Sequence, residues 1–160
     1  MDKKARYMLA ALRITLGWVF FWAFLDKLFG LGRSTPPGKG WLSGGSPTFG
    51  FLSNAARGPL VGMYKAMAGN PIVDLLFMVG LLGLGLALLL GIGLKVASIA
   101  GPLLMLLMWV SQLPPATNPF VDDHIIYALI LLVLPALEAG RTLGLGRWWA
   151  EKTRAWPILQ

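Results

Sequence analysis

The sequence predicts an all-α membrane protein: a bundle of four transmembrane helices with an amphipathic outer segment between the first and the second. Three observations carry that expectation. The run from Ile72 to Leu94 is about 23 residues long with Asp74 as its one charged side chain, enough as a helix to cross a hydrocarbon core of about 30 Å. Hydrophobic residues make up 56% of the chain and charged ones 13%, with a mean hydropathy of +0.68, outside the usual range of soluble domains. At 160 residues the chain has room for a single domain of about four spans and little else.

The first span is expected over residues 9–29. Lys3, Lys4 and Arg6 precede it and place the N-terminus on the cytoplasmic side. The charged-then-apolar start resembles a signal peptide, but no small-residue cleavage site follows and the apolar run is long, so it reads as a retained span. Arg13 lies about one turn in, Asp26 and Lys27 lie near the outer end, and Trp18 and Trp22 share a face between them. Arg13 and Lys27 either snorkel toward opposite interfaces or face the bundle interior, since an ionised side chain in lipid is costly.

Residues 30–70 change character. Pro36-Pro37 and Gly44-Gly45 mark loop in the first half. The second half mixes Phe49, Phe51, Leu52, Met63, Tyr64 and Met67 with Arg57 and Lys65, in pieces too short to span, so it reads as one or two amphipathic helices at the outer interface. A connection this long with structure of its own is a candidate lid. The second span covers residues 72–94. In it Gly83, Ala87 and Gly91 stand four apart, with Gly80 beside them. That spacing lets another helix approach closely and admits a homo-oligomer, although glycine is also simply tolerated in membrane helices.

A short turn with Lys95 leads to the third span, residues 96–113, where Pro102 should kink the helix or mark its first turns. A second outer loop, SQLPPATNPFVDDH, precedes the fourth span at residues 123–139. The tail, 141–160, carries Arg141, Arg147, Lys152 and Arg154, with Trp148 and Trp149 suited to an interfacial belt. Basic residues flank the cytoplasmic ends more heavily than the outer segment, which has Arg33, Lys39, Arg57 and Lys65 spread over a long stretch. Both termini are therefore expected inside, in a multi-pass protein of the inner (plasma) membrane.

Composition also narrows function. The net charge of +7 sits beside apolar segments, where orientation and membrane lipids explain it better than nucleic acid. The chain has no cysteine and one histidine, His124. Disulfides, cysteine-held iron–sulfur clusters and c-type haem attachment are excluded, no haem or flavin site is expected, and no multi-histidine metal site is available. Redox work would need a dissociable carrier or a partner's cofactor.

Four spans bring Asp26, Lys27, Trp109, Gln112, Asn118, Asp122, Asp123 and His124 to one outer rim, with Trp22 a turn below. Ionisable groups gathered at membrane depth suggest a site. A quinone there would need an apolar slot, hydrogen-bond donors at its carbonyls and a proton source. His124 and Lys27 would donate, Asp123 would relay, and Trp22, Asp26, Trp109, Gln112 and Asn118 would line the binding position. The bland alternative is that Asp122 is an N-cap, Asp123 favours the positive end of the fourth helix, and His124 is a hydrogen-bonded structural residue. Arg13 and Glu138, both near cytoplasmic ends, would form a structural ion pair between the first and fourth spans.

These residues also carry a resemblance. LRITLGWVFFWAFLDKL, GFLSNAARGPLVGMYKAMAG, FMVGLLGLGLALLLGIGLKVASIAG, NPFVDDHIIYALILLVL and GRTLGLGRWW together resemble the DoxX/DoxD family, in particular the DoxD-type membrane subunit of thiosulfate:quinone oxidoreductase. The spacing of Arg13, Gly17 and Lys27 and the stretch from Asn118-Pro119 to His124 are its most specific parts. The resemblance implies a four-helix membrane protein that passes electrons from thiosulfate, giving tetrathionate, to a membrane quinone beside a second, DoxA-like subunit or a soluble redox partner. The rival expectation is a non-catalytic membrane anchor for a redox or oxidative-stress complex. A carrier of a small apolar molecule, held in a cavity under the lid, is a third.

Overall fold

The computed structural model describes residues 1–116 and 118–160. Among these the chain is all helical: α1 (Lys3–Phe29), α2 (Val61–Met67), α3 (Pro71–Leu90), α4 (Leu94–Ser111), α5 (Asp123–Ala136) and α6 (Gly146–Lys152), with short 3-10 or π turns between them. Helices α1, α3 and α4 are long and apolar enough to cross a membrane. At about 1.5 Å per residue they reach about 40, 30 and 27 Å, whereas α5, also apolar, reaches about 21 Å. Ile72, Leu76 and Val79 of α3, Ile99 and Leu103 of α4, and Leu129 and Leu132 of α5 are exposed. So much outward apolar surface suits a membrane-associated protein.

The helices begin and end where local chemistry predicts. Asp2 caps α1 by accepting from the Ala5 N–H at 2.7 Å, so α1 starts six residues before the expected span. Asn70 caps α3, whose first position is Pro71. Gly91 and Gly93 adopt φ of 71° and 60°, a left-handed conformation that stops α3 at Leu90 and reverses the chain into α4 within three residues. The expected boundary at residue 94 was therefore late, because an apolar run does not reveal a glycine turn inside it. Helix α4 continues through Pro102, and α5 ends at Ala136, with Glu138 at φ 51°.

Helix α1 packs along α3, α4 packs along α5, and the α3–α4 turn joins the two pairs. Leu16 and Phe20, Leu81, Leu84 and Leu88, Met105, and Leu131 and Leu134 form the shared core. Of the expected stripe only Gly91 is in close approach, against Gly140 after α5, and the α1–α3 contact uses other glycines. A Cβ on Gly17 would lie 2.8 Å from Leu88 Cβ, and one on Gly85 would lie 2.8 Å from Phe21. A Cβ on Gly83 would meet nothing within 4 Å, because that face borders an open apolar groove beside α4.

The start of α1, the end of α3 and the segment after α5 meet at one end, where Arg13 ties them together. We call this the tail end. The opposite, lid end holds the long connection between α1 and α3. There the π turn and α2 form a small second core of Leu52, Ala56 and Tyr64. The lid is fastened to α4 by the Tyr64 hydroxyl, which donates to the Leu107 carbonyl at 2.9 Å, and by the Arg57 N–H, which donates to the Ser111 carbonyl.

Candidate functional site

Most of the polar residues singled out in the sequence have definite partners, and many of those partners are backbone. Arg13 is completely buried. Its Nε donates to the Ala139 carbonyl at 3.2 Å, Nη1 to Leu88 and to Leu89 (3.1 Å), and Nη2 to Thr142 (3.2 Å) and Leu143 (2.7 Å). A guanidinium has five N–H donors, and each finds one carbonyl. Two of these belong to the otherwise unpaired C-terminal turn of α3, where the helix dipole favours a cation. The expected Arg13–Glu138 pair is therefore absent. Glu138 lies past the end of α5 and pairs instead with Arg141 at 2.8 Å, both side chains being more than half exposed. Carbonyl dipoles do for Arg13 what a carboxylate was expected to do, and the sequence gives no sign of that because carbonyls have no letter.

At the lid end Asp26 is buried, and its carboxylate organises the loop that follows α1. It accepts from the backbone N–H of Arg33 (3.1 Å), Ser34 (2.9 Å) and Thr35 (2.9 Å) and from the Ser34 hydroxyl (2.7 Å). Asp74, in the first turn of α3, does the same one loop later. It accepts from the Ser46 hydroxyl (2.9 Å), the Thr48 hydroxyl (2.5 Å) and the Thr48 N–H (3.1 Å). The two acids pin both ends of the segment leading into the lid. Charge-assisted bonds of this kind are the stronger class of hydrogen bond.

The second outer loop has its own ties. Asn118 accepts from the N–H groups of Phe120 and Val121, each at 3.0 Å, and Trp109 Nε1 donates to the Phe120 carbonyl at 3.0 Å. Gln112 is the C-cap of α4. Asp122 caps α5, accepting from the N–H groups of His124 (3.1 Å) and Ile125 (3.4 Å), while its other oxygen lies 2.9 Å from His124 Nδ1. Asp123 is largely exposed, with an oxygen 3.5 Å from the same nitrogen. Oxygens of these two acids and a ring nitrogen of His124 fall within 4.8 Å of one another, but Asp122 is already engaged by the helix start. Thr117, in this loop, lies outside the described residues.

Lys27 is half-buried with Nζ 6.0 Å from the centre of the Phe77 ring, within cation–π range. No hydrogen bond among the described residues joins it to His124 or Asp123. Trp22 is half-buried, its ring 5.8 Å from that of Trp18 on the same helix. The rim residues thus divide into two groups: Asp26 and Lys27 serve the α1–α3 side, while Trp109, Asn118, Asp122 and His124 serve the loop before α5.

An apolar cavity lies elsewhere. A cavity of about 250 Å³ sits under the lid, between the π turn and α2 above and α3 and α4 below. Phe51, Leu52, Met67, Phe77, Leu104 and Met108 form its walls. It opens between Met63, Leu76 and Leu107, each at least half exposed. Its polar groups are Thr48, already donating to Asp74, and Tyr64, already donating to Leu107. Burial pushes the Tyr64 phenol above its usual pKa, so at neutral pH it stays protonated and keeps that bond.

No known family, curated protein or solved structure matches the chain.

Function must therefore be read from the cavity. Phe77 is its link to the expected site, since one wall residue is also the ring nearest Lys27. Trp22, Asp26, Trp109, Gln112, Asn118, Asp123 and His124 do not line it. The lining residues from the lid were legible as an amphipathic segment. Phe77, Leu104 and Met108 looked like ordinary span residues, and only the docking of α2 across α3 and α4 makes them walls.

Proposed function

We propose that the protein crosses the inner membrane four times, with α5 and its apolar flanks Phe120, Val121 and Leu137 as the short crossing and the lid facing outward, and that it receives a membrane-dissolved quinone beneath the lid. The apolar cavity carries this reading. Its volume is just under the usual range of about 300–1,000 Å³ for small-molecule sites, which suits a ring headgroup. An isoprenoid tail would leave through the gap at Met63, Leu76 and Leu107 into lipid.

The redox step follows from the likeness to DoxD-type subunits of thiosulfate:quinone oxidoreductase. Two thiosulfate ions join through a new S–S bond to give tetrathionate, and the two electrons released, with two protons, reduce the quinone to the quinol. Arg33, Lys39, Arg57 and Lys65 would draw the dianion to the lid. Lys27 behind Phe77 would favour the electron-rich quinol, and His124 and Asp123 would exchange protons at the rim. A DoxA-like subunit or soluble partner would complete the enzyme.

The test uses purified protein in liposomes loaded with a quinone. Thiosulfate should generate the quinol, and Met67→Trp, which fills the cavity, should abolish both the reaction and the recovery of bound quinone. Full binding by Met67→Trp would place the quinone elsewhere. A second reading is favoured by the way Asp26, Asp74 and Asp122 are each engaged by their own loops, which suits a non-catalytic anchor. An anchor would co-purify with a stoichiometric soluble enzyme and hold no quinone.

A further inference from the structure

At the tail end two adjoining depressions, of about 460 and 610 Å³, lie between the start of α1 and the segment after α5. Arg6, Arg141 and Arg147 border both, and Lys3 borders the larger. Four cations from three separate parts of the chain thus face one carboxylate, Glu138, which is paired with Arg141. Among the described residues, Lys3, Arg6 and Arg147 form no ion pair.

Apolar side chains stand beside this basic rim. Leu9 and Leu137 line the smaller depression, and Met8 and Leu12 of α1 and Val133 of α5 are exposed. Tyr7 beside the larger depression and exposed Trp148 next to Arg147 are residues that settle at the level of lipid headgroups. Basic groups beside exposed apolar helix faces complement a molecule with an anionic head and hydrocarbon body, and basic pockets between membrane helices bind such headgroups.

We propose that this depression is a binding site for an anionic phospholipid, its phosphate held among Lys3, Arg6, Arg141 and Arg147 and its acyl chains lying against α1 and α5. Guanidinium groups suit the phosphate because they offer paired N–H donors. A free phosphate ion shares the head chemistry and would make no use of the apolar faces beside it. The site is independent of the lid cavity and of any quinone.

The experiment is native mass spectrometry of the full chain, purified in neutral detergent, titrated with dioctanoyl phosphatidylglycerol or dioctanoyl phosphatidylcholine. The anionic phosphatidylglycerol should bind in preference to the zwitterionic phosphatidylcholine. Each removed cation should weaken it about fivefold, so that Arg6→Gln with Arg147→Gln loses on the order of 25-fold. Arg6→Lys with Arg147→Lys, which keeps the charge, should retain most of the affinity, and Arg57→Gln with Lys65→Gln at the lid end should leave it unchanged. Equal binding of the two lipids, wild-type affinity in the double Gln variant, or complete displacement of the lipid by millimolar inorganic phosphate would each overturn the proposal.

Discussion

Replacing Asp26 with Asn tests the claim that a buried carboxylate sets the entry to the lid. The change keeps the shape and removes the charge. In the native protein one oxygen accepts from Ser34 N–H, Ser34 Oγ and Thr35 N–H, and the other from Arg33 N–H. Asn offers one carbonyl oxygen and turns an NH2 group toward donors on its other side, so at least one backbone N–H loses its partner while the remaining bonds lose their charge assistance. Hydrogen bonds to a charged group contribute about 1.5–3 kcal/mol and neutral ones about 1 kcal/mol. Three such bonds weakened by about 0.5 kcal/mol each and one lost at about 1.5 kcal/mol amount to about 3 kcal/mol at the lower end of that range, or on the order of 100-fold in the opening equilibrium of this loop. Hydrogen exchange read by mass spectrometry on a peptide covering residues 31–40 measures that equilibrium directly. Exchange at Arg33, Ser34 and Thr35 should accelerate by about that factor, while Asp123→Asn, at an exposed carboxylate, should leave it unchanged. Native exchange rates in Asp26→Asn would refute the role given to this residue.

Three further outcomes follow from the same geometry. Arg13→Lys supplies three donors where five carbonyls wait, so at least two buried carbonyls are orphaned at about 1–3 kcal/mol each; the thermal midpoint in detergent should fall sharply, and an unchanged midpoint would contradict the carbonyl cage. Gly85→Ala drives a methyl against Phe21 and should cost about 1–3 kcal/mol, whereas Gly83→Ala meets nothing and should be neutral or mildly stabilising; equal effects in a detergent unfolding titration would mean that α1 does not pack on the Gly85 face. The Tyr64 phenol has a raised pKa in the folded lid, so its contribution is complete below the ordinary tyrosine value of about 10 and is lost as pH climbs above it; proteolysis of the lid should increase in that alkaline range for the native chain, and Tyr64→Phe should remove the pH dependence.

The long helices were legible because apolar length is written directly in the residues: Ile72 onward reads as a helix long and apolar enough to cross a membrane, and it is one. Their ends were less so. Gly91 and Gly93 lie inside an unbroken apolar run, and only their positive φ shows that they form the turn. The first half of the α1–α3 connection was rightly read as loop, but the two acids that hold it, Asp26 and Asp74, reach partners seven or more residues away, more than half of them backbone N–H groups that any residue type offers. The stripe of Gly83, Ala87 and Gly91 was misleading for a related reason. Four-residue spacing marks a smooth face without saying which helix lies on it, and the tighter contact belongs to Gly85 and Gly17, which show no such repeat.

The polar residues of this chain follow one rule that ties fold to site. In an apolar surround an unpaired backbone group is expensive, and turns between helices leave such groups at every corner. Arg13 answers five carbonyls at the tail end; Asp26, Asp74, Asn118 and Asp122 answer N–H groups at the lid end. Charge sign follows the backbone polarity, a cation at the carbonyl-rich end of α3 and acids where amides converge. Since the acids of the lid end are committed to holding corners, the space left at that end is apolar and lies under the lid they secure. A ligand in that cavity would be recognised mainly by shape and hydrophobicity, and any chemistry there would draw on charges at its margin, Asp74 bonded to the lining Thr48 and Lys27 beside the lining Phe77.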